Sequence, residues 1–444
     1  MTVAVDPVSV AERQIVAEHQ LREKVINEEF KIWKKTVPLL YDTIHTHVLE
    51  SPLLSVQFLP NYTVSENKNK ISVQALFGSN TSGREQDHVK LVLLDLPSTL
   101  APDFSTFAVG DSIPIPMNGD GLDSFKVLQS WKHPGEVNKI KVSPNGEKWI
   151  TFDNQGLVHL YNRKDESPVD FSYHTSEGYA LEWVSDMEFL SGANDSRIAL
   201  WDIKDASKPL KEFNSHTAVI NDISFGPAAK VLFGSVADDF NTYIHDLRSP
   251  EESPAIKIST NHIQNAISFH PLLSSLFATG GKDNVVNLYD ARNTKEPFRK
   301  LFGHNDSVVG LTWDTCYDPN FLYSWGLDKR VINWDLSKLS EEVTYPSSEA
   351  SESKRRTRVT EDPCLAFIHG GHTSRINELS VHPKIPNLFA TVGDDNLLEV
   401  YKSKTLLEEE EDEEEEEKEE AEEEEKDDAE DKPEAKNEDV DMKE

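Results

Sequence analysis

VINWD (Val331–Asp335) closes a short apolar stretch on Trp-Asp, and six other stretches of the chain close in the same manner. They are LVLLDL (Leu91–Leu96), VHLYN (Val158–Asn162), IALWD (Ile198–Asp202), TYIHD (Thr242–Asp246), VNLYD (Val286–Asp290) and LEVYK (Leu398–Lys402). From Tyr161 through Asp202, Asp246 and Asp290 to Asp335 the spacings are 41, 44, 44 and 45 residues. A period of about 40 to 45 residues ending on Trp-Asp, or on a relaxed version of it, marks the four-stranded blade of a β-propeller. Each blade buries its faces only against its neighbours, so the repeats form one ring and override the two or three domains that 444 residues would otherwise allow. The fold predicted is all-β, a propeller of seven blades.

The gaps from Asp95 to Tyr161 and from Asp335 to Tyr401 are each 66 residues, one blade plus an insertion. A second marker fixes the register. His133, His174, His216, His262, His304 and His372 lie 28 to 31 residues before six of the seven endings. Between each His and its ending comes a turn Asp, as at Asp195, Asp239, Asp283, Asp328 and Asp395. Such a His and Asp are expected to pair, because a buried polar group needs a partner.

Before the first blade, AERQIVAEHQLREKVINEEFKIWKKTV reads as a helix that Pro38 should end, since proline pushes the preceding residue out of helical geometry. Its apolar residues form two stripes. Ile26, Phe30, Trp33 and Val37 make one; Leu21, Val25 and Ile32 make another about 120° around. One stripe can pack on the propeller wall and leave the other for a different contact. Leu53 to Leu59 reads as a strand that completes the last blade and so removes an exposed edge. The predicted organisation is a flexible stretch 1–10, a helix over 11–37, the propeller over 38–406, and a disordered acidic tail over 407–444. The insertions fall at about 97–118, connecting the first and second blades, and 340–362.

Charge is unevenly spread. The net charge is −34, and residues 408–444 hold 25 acidic and 5 basic side chains. Runs such as EEEEDEEEEE repel themselves and bury nothing, which predicts disorder and either a solubilising role or attraction of a basic partner. Direct specific binding of nucleic acid is disfavoured, because phosphates call for a cationic surface. No stretch of 18 apolar residues spans a membrane, and MTVAVDPVSVAER lacks the basic flank and apolar core of a secretion signal. Cys316 and Cys364 stand in no metal-binding spacing and cannot form a disulfide framework, which fits a reducing compartment. In the second insertion Lys354, Arg355, Arg356 and Arg358 look like a nuclear import signal.

Nothing points to catalysis. The chain has no GxSxG, HExxH, GxxxxGKS/T or GxGxxG stretch. IHGGH offers His369 and His372 as imaginable metal ligands, but His372 is explained by the blade register. No cofactor, metal or catalytic residue is expected.

Several stretches are more specific than a repeat. VINEEFKIWKKTVPLLYD (Val25 to Asp42), GEVNKI (Gly135 to Ile140), EGYALEW (Glu177 to Trp183), HTAVINDISF (His216 to Phe225), LFGSVADD (Leu232 to Asp239) and FIHGGHTSRINELS (Phe367 to Ser380) resemble the histone-binding WD-repeat family. The likeness runs from about residue 20 to 402. It implies a WD-repeat propeller that binds core histones of the central tetramer pair at two surfaces. It also implies work beside a catalytic histone acetyltransferase subunit or the large subunits of a chromatin assembly factor, in nucleus and cytoplasm. At the side, the helix and the loop before the last blade would clamp a histone helix with Ile26, Glu29, Phe30, Trp33, Glu361, Asp362, Leu365 and Phe367. A basic amphipathic helix suits an apolar groove with a carboxylate rim. On the top face the matching positions are Glu85, Glu136, Asn138, Glu177, Tyr179 and Asp238, where carboxylates would hold arginine.

The chain departs from the family pattern in three places. Asn221 and Ser307 stand where the family has acids, ESPLL replaces EWPSL so that Ser51 stands for Trp, and KRRTR precedes Glu361. Two other classes of propeller compete with this reading: a substrate receptor of a ubiquitin ligase and an acidic-tailed ribosome assembly factor.

Overall fold

The computed structural model describes residues 7–64, 70–97, 125–165, 167–249, 253–340 and 362–404, with helix side chains described from Gln20 on except Arg22. The bulk of both insertions, the basic cluster Lys354–Arg358, Glu361 and the acidic tail lie outside the described residues.

Seven antiparallel four-stranded sheets form the propeller, and each ending quoted above lies in the third strand of its sheet. Blade 6, for example, consists of Val308–Trp313, Phe321–Gly326, Val331–Asp335 and Leu365–His369. Its neighbour blade 5 consists of Gln264–Phe269, Leu276–Gly281, Val285–Asp290 and Arg299–Phe302. The two middle strands of a blade are buried on both faces, so they read as near-continuous apolar runs such as VINWD, with burial at four of its five positions. Trp149, Trp201 and Trp334, all at blade centres, are fully buried.

Ring closure differs from the expectation. The strand that completes blade 7 is Tyr41–Val48, which pairs antiparallel with Leu397–Ser403, and Asp42 adds a salt bridge to Lys402 at 3.1 Å. Leu53–Val64 is instead the innermost strand of blade 1. The physical reason lies in the pattern of each segment. YDTIHTHV is polar enough to sit at an outer edge, whereas Val56, Phe58 and Leu59 demand the burial of an inner strand.

The helix is also longer than 11–37. It runs from Pro7 to Leu40, so that 7–10 are helical and Pro38 falls inside its last turn. There the missing N–H costs a single helical bond, and the chain enters its first strand directly at Tyr41. The first insertion lies between the third and fourth strands of blade 1, His88–Pro97 and Phe125–Lys132, rather than between blades. The second holds the same place in blade 6.

The His–Asp marker is real in four blades. His174, His216, His304 and His372 lie 3.2, 3.0, 2.9 and 3.2 Å from Asp195, Asp239, Asp328 and Asp395. It fails in blade 5, where His262 is exposed and Asp283 bonds Asn287 at 3.2 Å. In blade 2 His133 turns to Thr151 at 2.9 Å, and Asp153 takes His159 at 3.3 Å. Among the described residues no helix is long and apolar enough to cross a membrane.

Candidate functional site

The helix meets the propeller over blades 6 and 7. Val37 is buried there with Tyr41, Tyr323, Trp325, Val331, Ile376, Leu379, Phe389 and Tyr401, while Trp33, Leu40 and Phe367 pack at the edge of the same cluster. A buried aliphatic or aromatic side chain contributes about 1.5–3 kcal/mol, so two turns of this stripe hold the helix end in place. Further toward the N-terminus the same stripe is less covered. Ile26 and Phe30 are half-buried, and the Phe30 ring stacks on Trp33 with centroids 5.4 Å apart. The second stripe faces solvent: Leu21, Val25 and Ile32 are 64%, 49% and 63% exposed.

Trp33 is fixed by polar contacts as well. Its indole Nε1 donates to Tyr41 Oη at 2.9 Å, and Tyr41 Oη lies 2.8 Å from His369 Nδ1. His369 Nε2 lies 3.0 Å from Glu399 Oε2, and Thr46 donates to Glu399 Oε1 at 3.2 Å. Burial pushes the Tyr41 phenol well up and holds His369 below the usual imidazole range. Burial also opposes ionisation of Glu399, but the hydrogen bond from His369 and the charge of His372 outweigh it and keep this carboxyl below its ordinary value. Phe367 packs edge-on against Tyr41, with centroids 5.4 Å apart.

Of the residues assigned to the side groove, Ile26, Phe30, Trp33 and Phe367 therefore gather on one apolar seam. Glu29 stands at its exposed rim, 3.6 Å from Arg330. Two assignments need correction. Asp362 is turned inward: its carboxylate accepts from Arg299 at 3.0 Å and from the Cys364 and Phe302 amides at 3.1 and 3.3 Å, so it is no free rim charge. Leu365 packs with Trp334, Ile332 and Cys364 between blades 5 and 6. A bulge opposite Asn333 and Trp334 places it on the other face of the strand from Phe367. Sequence reasoning missed Tyr41, His369 and Glu399; the one signal was that FIHGGH holds a His the register does not need.

The top face is polar and self-bonded. Tyr179 Oη donates to Glu177 Oε2 at 3.3 Å, and burial, then Glu177, pushes this phenol up to about 12. Burial, then Asp87 and Glu177, raises the Glu136 carboxyl. Glu85 is exposed. Asn138 is buried, and its amide donates to the Gly178 carbonyl of the next blade at 3.3 Å. Asn221, Asn265 and Asn377 hold the same position in blades 4, 5 and 7 and reach the carbonyls of Gln264, Val308 and Leu53 at 3.0, 2.8 and 2.9 Å. Asn138 is thus a blade-to-blade tie rather than a free contact. Asn221 is another, and Asp238 orients it at 2.9 Å.

Behind this face lies a central channel of about 760 Å³. Lys139 pairs with Glu378 at 2.8 Å and Lys141 with Glu182 at 2.9 Å. Burial raises Asp222, beside them, to about 6.

A closed seven-bladed ring with a helix clipped to its side and an open aromatic seam between them defines an adaptor with a built-in docking edge. Residues 28–98 match the family of the histone-binding protein RBBP4 and its counterpart in the CAF1 complex. The chain is 32% identical over 417 residues to "Histone acetyltransferase type B subunit 2" of Candida glabrata, covering 90% of this chain and 95% of that relative. The chain belongs to this family of histone-binding WD-repeat proteins.

Proposed function

We propose that the chain is a non-catalytic core-histone-binding subunit of a chromatin complex. It presents histones of the central tetramer to an acetyltransferase or to a deposition complex, in the nucleus and during transit through the cytoplasm. A short basic amphipathic helix of one histone lies along Ile26, Phe30, Trp33 and Phe367, with Glu29 at the rim. The top face is a second contact, where Glu136, Glu177 and Tyr179 meet an arginine-rich tail. One observation carries this reading. The helix is anchored by its last turns, while Phe30, stacked on the fixed Trp33, stays half-uncovered on the side where a guest helix would lie.

The test is capture of a purified core-histone tetramer. Phe30→Asp places a charge in the seam without touching the anchor, and should weaken binding at least about tenfold, the scale of one interface anchor. Phe367→Asp serves as a second probe, with a thermal melt recorded because Phe367 also packs on the cluster. Wild-type affinity in both variants, each folded, would remove the seam as the site.

A further inference from the structure

We propose that Tyr41, His369 and Glu399 are positioning residues for Trp33, a buried relay that holds the indole, and with it the helix wall of the seam, in one orientation. The inference rests on the seam reading above and deepens it.

The direction of every bond in the relay follows from what each group can do. An indole N–H only donates. Tyr41 Oη therefore accepts from Trp33 at 2.9 Å, and its own hydrogen needs an acceptor. His369 Nδ1, at 2.8 Å, is that acceptor, which fixes the ring as the neutral form carrying hydrogen on Nε2. The opposite tautomer would strand the Tyr41 hydrogen in a buried place and turn a bare nitrogen toward a carboxylate. Nε2 faces Glu399 Oε2 at 3.0 Å, somewhat off the line a hydrogen bond prefers. A proton on Nε2 is what that negative neighbour favours. Thr46 holds the far oxygen of Glu399 at 3.2 Å. The relay runs one way, from a helix indole to a carboxylate in blade 7.

Packing enforces the same orientation. Trp33 meets both Tyr41 and His369 edge-on, with centroids 6.1 and 5.9 Å away and interplanar angles of 78° and 89°. Tyr401 stacks beneath His369 at 4.0 Å. A side chain at Gly371 would overlap the Glu399 carboxylate, so the second glycine of IHGGH makes room for the end of the relay.

A metal would explain the group less well. Donor atoms of His369, His372 and Glu399 lie within 4.8 Å of one another. His372, however, already uses both ring nitrogens, toward Asp395 at 3.2 Å and Thr391 at 2.8 Å.

The experiment uses the full chain labelled with nitrogen-15, and the Trp33 indole signal is assigned by its loss in Trp33→Phe. In the wild type at neutral pH, His369 should give the signature of an acceptor Nδ1 and a protonated Nε2. A charged ring, or hydrogen on Nδ1, overturns the proposal without any variant having to fold. Tyr41→Phe keeps the ring and removes the oxygen. It should shift the Trp33 indole signal, speed its hydrogen exchange, and lower affinity for the histone tetramer about tenfold, the effect of one buried hydrogen bond. Glu399→Gln should move the Trp33 signal in the same direction by less, since the amide oxygen can still accept from Nε2. An unchanged Trp33 signal in Tyr41→Phe sinks the relay. Wild-type binding by Phe30→Asp, with Trp33 still displaced in Tyr41→Phe, sinks the seam reading and leaves the relay standing.

Discussion

Blades 5 and 6 are neighbours with the same four strands and the same His and Asp positions in sequence, yet they are built differently inside. In blade 6 Trp334 donates to Ser324 at 2.8 Å, Ser324 meets His304 at 2.6 Å, and His304 meets Asp328 at 2.9 Å. In blade 5 His262 is exposed, and the Thr279 hydroxyl and one Asp283 oxygen are buried without partners. Apolar periodicity is therefore enough to make a blade. The polar chain is an added brace, found here in the blade against which the helix leans.

The largest expected effect concerns what joins the two blades. Arg299 belongs to the outer strand of blade 5, and Asp362 leads into the outer strand of blade 6. Asp362→Ala leaves a guanidinium that is only 14% exposed without its counter-charge. Removing one partner of a buried ion pair costs roughly 2–4 kcal/mol, allowing for that residual exposure. Urea denaturation should register the loss; a change under about 1 kcal/mol would mean that this pair does not couple the blades.

Next comes the brace itself. Ser324→Ala strands both Trp334 Nε1 and His304 Nε2, and should cost about 1–3 kcal/mol. The matching change in blade 5, Thr279→Val, removes a hydroxyl that already lacks a partner and should be neutral or slightly stabilising. Equal losses in the two variants would erase the contrast between the blades.

The same contrast explains what the sequence reveals. Trp-Asp endings at a fixed period carry the number of blades and the third strand of each, because those strands are buried on both faces and must be apolar. They do not carry pairing: His262 and Asp283 keep the spacing of His304 and Asp328 without their contact. Closure by Tyr41–Val48 is hidden because an outer strand needs only every second residue to be apolar. The seam is legible in part. Phe30 and Trp33 follow helical periodicity, but the inward turn of Asp362 and the bulge that diverts Leu365 depend on Arg299 and Trp334, partners about 63 and 31 residues away in the chain.

Blade 4 is intermediate. It keeps the His216–Asp239 pair at 3.0 Å, but His245 occupies the place of the tryptophan, buried between Phe213 and Phe233 with neither ring nitrogen partnered. Burial, then the neighbouring His216, pushes this imidazole down to about 3. The unfolded chain takes up a proton near pH 6.5 while the folded one does not. Its contribution to stability is complete above about pH 6.5 and declines as pH falls toward 3. His245→Phe should gain about 1 kcal/mol at neutral pH by removing two unsatisfied polar atoms. The advantage should widen steadily below pH 6.5. A stability difference that stays flat from pH 7 to 5 would show that this ring does not titrate with folding.

The smallest effect belongs to the marker that misleads. His262→Ala in blade 5 removes an exposed ring and should change stability by less than about 0.5 kcal/mol, as surface substitutions do. His304→Ala in blade 6 should cost several times more, since it opens a cavity and frees Ser324 and Asp328 at once. The pair of measurements separates two meanings of one repeated spacing within a single chain. If His262→Ala destabilised as much as His304→Ala, the exposed ring would have to find Asp283 in solution, and the two blades would share one brace after all.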